Sequence, residues 1–250
     1  NFNKVQHKPR WSEMRSFLVA FFLGLVTSRA IAATTASCAA SGVPKVVPSP
    51  LGPAALSDDS VVKSFSLGGQ VRCPPGDHFC PDESKSIVVD RPLQVYGRKQ
   101  DAEESSRVWG TWELLPSSSG NLTGVSCCWE TRTGFVPVMS LEGGPWQLFK
   151  CDVLCGGAPA IECRDGAILS IRRGVLGGFG SGPLPSATVA VLAWGEDKGS
   201  TCHLEQVLLQ HTAAHAVRFL QLSRGVLVSC SLLNCAKPPS KHATASLTLK

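Results

Sequence analysis

Residues Cys151–Cys163 read C-D-V-L-C-G-G-A-P-A-I-E-C, three cysteines within thirteen residues. They belong to a set of eleven that constrains this chain more than any other feature. The rest are Cys38, Cys73, Cys80, Cys127, Cys128, Cys202, Cys230 and Cys235. What such a set means depends on the compartment, and the N-terminal segment speaks to that. Arg15 follows Met14, Phe17–Val26 is an unbroken apolar run, and Ala30-Ile31-Ala32 supplies a small-x-small cleavage pattern. This is the plan of a secretory signal over 14–32. A run of about ten apolar residues is too short for a bilayer, which needs roughly 20. A secreted, extracellular location is expected, and there cysteines pair. Ten of them, Cys73 to Cys235, are expected in disulfides, with Cys38 left free or intermolecular because the total is odd.

Removing the leader changes the charge. Five of the 24 basic residues and one of the 19 acidic residues precede Ala33, leaving 19 against 18. Nucleic-acid binding thereby loses its electrostatic basis. Residues 1–13 read as an upstream leader or an appended remnant, and 33–62 as an Ala/Ser/Pro-rich linker. Asn121-Leu122-Thr123 is an N-glycosylation sequon, so Asn121 is an expected glycan site.

Short β-rich runs with Gly/Pro punctuation follow. They include Ser86–Asp90, Gln94–Gly97, Arg107–Leu115, Thr123–Trp129, Phe135–Met139 and Trp146–Cys151. They predict a β-rich domain over 63–151. In Arg107–Leu115 the alternation leaves Trp109 on the exposed face. A second β-rich domain, 152–250, is expected to contain strands at Ala167–Ile171, Ala187–Trp194, Gly225–Leu233 and Ala243–Leu249. Its one helix is predicted over 203–220, where Leu204, Val207, Leu208, Ala214, Val217 and Leu220 recur at helical spacing. The expected fold class is mainly β (α+β): two small disulfide-rich antiparallel domains, the second with one helix. Cys151 is expected to bond within the first domain, and Cys155 with Cys163 or another cysteine of the second. No hydrophobic tail follows, so no membrane span is expected.

Candidate chemistry is sparse. His211 and His215 have the i, i+4 spacing of zinc ligands, but the position after His211 is not Glu and no third ligand is assignable. Cys73, Asp77, His78 and Cys80 form a second cluster, for which a disulfide is the preferred reading. The glycine-rich 174–185 stretch lacks the Lys-Ser/Thr of a phosphate loop, and no Gly-x-Ser-x-Gly occurs. The expectation is therefore no enzyme, no cofactor and no metal.

Two secreted module families are similar in parts. Cys73-x6-Cys80, Ile87-Val88-Val89, Tyr96-Gly97-Arg98 and the closing Trp146–Cys151 resemble the sea-urchin-egg-lectin type of galactose- or rhamnose-binding domain. A second copy would be Cys155-x7-Cys163, Ile168–Ile171, Gly177-Gly178, then Cys202, Cys230 and Cys235. Trp109-Gly110-Thr111-Trp112 together with Cys151-x3-Cys155-Gly156-Gly157 resembles the thrombospondin type 1 repeat. The lectin resemblance implies carbohydrate binding through Tyr96 and Arg98. The alternative is a protein-adhesion module anchored on Trp109 and Trp112, aromatic residues being enriched at interface hot spots. Glycans or a cell-surface protein are the expected partners.

Overall fold

The structure is a computed structural model, and it describes residues 59–80, 86–98, 105–130, 136–180 and 186–250. The signal segment, Cys38 and most of the linker lie outside the described residues, as does part of the glycine-rich stretch.

The chain from 59 onward is a parallel β-solenoid. A nine-residue helix, α1 (Asp59–Leu67), precedes the first coil. Strands β1 (Gly69–Arg72), β2 (Gly76–Phe79) and β3 (Ile87–Val89) lay down three faces, A, B and C. The next coil repeats them as β4 (Leu93–Tyr96), β5 (Ser106–Trp109) and β6 (Trp112–Leu114). Two more coils follow: β7 (Gly120–Thr123), β8 (Val125–Glu130), β9 (Met139–Leu141), then β10 (Pro145–Phe149), β11 (Asp152–Gly156), β12 (Ile161–Cys163). In β13 (Ile168–Gly177) and β15 (Thr201–Gln210) one long strand turns the corner and serves both A and B. Strands β14 (Val191–Ala193) and β16 (Val217–Phe219) continue face C. The last coil is β17 (Arg224–Val228), β18 (Ser231–Leu233) and β19 (Ser240–Lys241), and β20 (Ser246–Leu249) returns to face A. Every strand pair in the register is parallel.

This is where the expected architecture fails. Several expected strands are present, but Arg107–Leu115 and Gly225–Leu233 are each broken into two strands. The strand expected to end at Met139 begins there, Ala187–Trp194 shrinks to Val191–Ala193, and consecutive strands do not pair. On face A the in-register column runs Gly69, Leu93, Gly120, Trp146, Leu169, Cys202, Gly225, Leu247. Partners are thus 22 to 33 residues apart, one coil to the next. Nor is there a domain junction at 151, since Cys151 sits at the corner between β10 and β11, inside a coil.

Four-residue units explain why face A forms: GQVR, LQVY, GNLT, WQLF, LSIR, CHLE, GVLV and LTLK. The third residue of each points inward and stacks into an aliphatic ladder, Val71, Val95, Leu122, Leu148, Ile171, Leu204, Leu227, Leu249. From Val95 to Leu227 these side chains are buried. Each contributes about 1.5–3 kcal/mol relative to solvent.

The A-to-B corner explains the predicted helix that is not there. Gly124, Lys150, Arg173, Gln206 and Ser229 follow registered residues on successive coils, and all have positive φ (66°, 53°, 57°, 54° and 50°). A left-handed residue swings the next one inward and shifts the alternation. In β15 the buried set is therefore Cys202, Leu204, Val207, Leu209. The three-residue step from Leu204 to Val207 imitates a helical period, although 201–210 is strand. Residues 217–219 continue as β16, with Val217 and Phe219 in the core.

Helix α1 covers the N-terminal opening with Val61, Val62 and Phe65. The Phe65 ring stands 5.0 Å from that of Trp112, which is fully buried. Covering an open sheet edge in this way shields unpaired backbone groups. No helix among the described residues is long and apolar enough to cross a membrane.

No disulfide joins any two of the described cysteines. Cys73, Cys127, Cys151, Cys155, Cys163 and Cys202 are instead buried members of the core. They fill inward positions as small apolar residues. Cys155 and Cys163 lie on β11 and β12 without bonding, whereas Cys163 and Cys202 stand side by side in the interior. Cys80, Cys230 and Cys235 are only partly buried.

Candidate functional site

The outward residues of face A form two columns. The second residue of each unit gives Gln70, Gln94, Asn121, Gln147, Ser170 and His203. The fourth gives Arg72, Tyr96, Thr123, Phe149, Arg172 and Glu205. Parallel, in-register stacking places like positions one above another, so amides and rings accumulate on one face.

A groove of about 810 Å³ opens where the first two coils turn from face A to face B. Its walls include Gln70, Arg72, Pro74, Pro75, Tyr96 and Arg98. Tyr96 donates its hydroxyl hydrogen to Gln94 Oε1 at 3.0 Å, and Gln70 Nε2 donates to the same oxygen at 3.1 Å. The ring itself remains 41 % exposed. Ser106 braces the groove from within: its Oγ donates to the Cys73 carbonyl at 2.8 Å and accepts the Arg98 backbone N–H at 3.0 Å.

Tyr96 and Arg98 are thus brought together. Gln70, Arg72 and Ser106 were not expected there, and the repeated polar–aliphatic pair inside each four-residue unit is the signal that could have found the amide column. The other sequence candidates fare differently. Trp112 is wholly inside the core and offers no surface. Trp109 lies outward on face B, stacked between Phe79 (6.1 Å, 11°) and Phe179 (6.0 Å, 9°). Its Nε1–H donates to Asp77 at 2.9 Å, so two ring contacts and a hydrogen bond already engage this half-buried side chain. Asn121 stands in the amide column between Gln94 and Gln147, its Oδ1 buried without a partner.

The metal candidates do not converge. His211 occupies a positive-φ corner, and His215 Nδ1 faces the Pro238 carbonyl at 3.0 Å. His78 points inward onto the Pro74 carbonyl (2.9 Å) while Asp77 points outward. Among the described residues no group of three metal-ligating side chains is found.

The Cys73 thiol in the groove wall is held up at about 11 by burial, against a smaller opposing effect of Ser106. Burial likewise pushes Cys128 and Cys155 up to about 12. These sulfurs are protonated at neutral pH and poor nucleophiles. The groove therefore offers hydrogen bonding, an exposed aromatic ring and guanidinium groups, the chemistry of binding a polyhydroxylated ligand. No family model, curated protein or solved structure matches this chain.

Proposed function

We propose that this chain is an exported carbohydrate-binding protein whose site is face A and the groove at its first corner. The observation that carries the reading is the meeting of Tyr96, Arg98, Gln70 and Arg72 from two coils on one groove. Sugar sites pair a few placed polar groups with an apolar surface. Here the half-open Tyr96 ring supplies the surface, and the fixed Gln70–Gln94 amides supply direction. Export is supported by the leader pattern alone, since the cysteines are accommodated as core residues. A glycan on Asn121 would stand in the middle of the amide column, so this reading keeps Asn121 bare.

A glycan array probed with the full chain tests the proposal. Binding to at least one glycan class is expected, with Tyr96→Ala weakening it about ten- to hundredfold, the effect of losing one buried aromatic contact. The melting temperature should not change, because the ring is on the solvent side. No binding to any glycan at millimolar competitor removes the reading.

A further inference from the structure

The polar side chains of face A recur once per coil and extend well beyond the groove. Resting on the glycan-binding reading above, we infer that the ligand is an extended β-1,4-linked glycan lying along the solenoid axis, not a chain end or single sugar held in the groove. Neighbouring strands are about 4.8 Å apart, so the column from Gln70 to His203 presents six rungs over about 24 Å. In the adjacent column Tyr96 and Phe149 flank Thr123 and stand two strand spacings apart, about 10 Å. In an extended β-1,4-linked glycan alternate sugars turn over, and the same ring face and hydroxyls recur every second unit at nearly that distance. One polar rung per sugar, the first four of them amides, and one ring per disaccharide from Tyr96 to Phe149 is the match.

Beyond Arg72 at the groove, the two columns carry no unpaired carboxylate or guanidinium, which leaves most of the face to an uncharged polymer. The one carboxylate among the two columns, Glu205, is paired with Arg172 at 2.9 Å. Phe149 is 37 % exposed, with the Lys150 ammonium 5.5 Å from its centroid, an exposed contact that a sugar can replace. A glycan that coils, as α-1,4-linked chains do, would leave a straight row of rungs after one or two units.

Calorimetric titration of the full chain with cello- and chito-oligosaccharides of two, four and six units, and with maltohexaose, tests this. In at least one β-linked series affinity should rise with length, the hexamer binding at least about tenfold more tightly than the dimer. Phe149→Ala should bring the hexamer down towards the dimer while leaving the dimer unchanged, whereas Tyr96→Ala should weaken both. Gln147→Ala, also on the solvent side, serves as a second variant should Phe149→Ala lower the melting temperature. A hexamer no tighter than its dimer, or a silent Phe149→Ala and Gln147→Ala, would overturn the axial ligand and leave groove binding standing. Equal binding of maltohexaose would overturn the linkage. Absence of all glycan binding on the array would overturn both readings together.

Discussion

Gly225→Ala is the sharpest probe of the register. Gly225 is the first inward residue of GVLV and stacks between Cys202 and Leu247. A Cβ built there would stand 2.2, 2.3 and 2.8 Å from three carbons of the Phe219 ring. That ring is fully buried and cannot swing into solvent. The φ of Gly225 is not positive, so the cost is steric. Overpacking of this kind costs about 1–3 kcal/mol. For a unit of this size that is a fall of about 2–12 °C in Tm, at about 2–4 °C per kcal/mol. In a stack where each coil touches only its neighbours, the damage should stay local. Thermal melts by circular dichroism, with amide hydrogen exchange by mass spectrometry, should show lower protection in 200–250 and unchanged protection in 87–125. Phe219→Leu in the Gly225→Ala background should recover part of the loss, a coupling that two distant sites would not show. A Gly225→Ala protein within about 0.5 kcal/mol of the parent, the range of an ordinary surface change, would mean that Phe219 does not fill this position and that the register is wrong.

Four further outcomes are expected. Phe65→Ala should cost about 3–5 kcal/mol and, by uncovering the first coil, promote edge-to-edge association visible in size-exclusion chromatography. Ser106→Ala leaves the Cys73 carbonyl and the Arg98 N–H without their buried partner, so it should cost about 1–3 kcal/mol and weaken glycan binding. Alkaline conditions should destabilise the fold. Cys73, Cys128 and Cys155 titrate near 9.0 when unfolded but at about 11 to 12 when folded, so their contribution is intact below pH 9 and is lost between pH 9 and 12. Urea midpoints that do not fall from pH 8.5 to 10.5 would contradict this. Mild oxidation followed by non-reducing peptide mapping should yield a bridge between Cys163 and Cys202 before any other pair of buried cysteines.

Strand positions were legible in part because alternation is local: the Trp146–Cys151 run contains β10, whereas Arg107–Leu115 reads as one strand but is broken at Gly110 into β5 and β6 on different faces. Pairing was not, because it depends on residues a whole coil away and the coils differ in length. The corner column shows why no repeat stands out. Lys150, Arg173, Gln206 and Ser229 share a backbone conformation and no side-chain chemistry. That same corner shifted the apolar phase after Leu204 and produced a false helix. Cysteines misled for a related reason: an inward position in a narrow coil accepts a small apolar side chain, and a thiol serves as well as alanine or valine. Tyr96 and Arg98 were singled out through a resemblance to a different architecture, yet they meet on the groove. Gln70 and Arg72 lie 26 and 24 residues upstream of Tyr96, a distance that only the stacked register closes to bring them onto one groove.

The unequal coils carry a consequence for how such a protein can change. From Leu169 to Cys202 the chain takes 33 residues, yet Leu169 and Cys202 remain in register on face A. Extra residues have been absorbed outside the strands, leaving the rungs undisturbed. Growth in this architecture is of two separable kinds. Lengthening a connection decorates the flank of the rod. Duplicating a coil lengthens the ruler by one notch, about 4.8 Å, without rewriting any existing coil. The reach of the face and the ornament at its margins can therefore evolve independently, each by a single insertion.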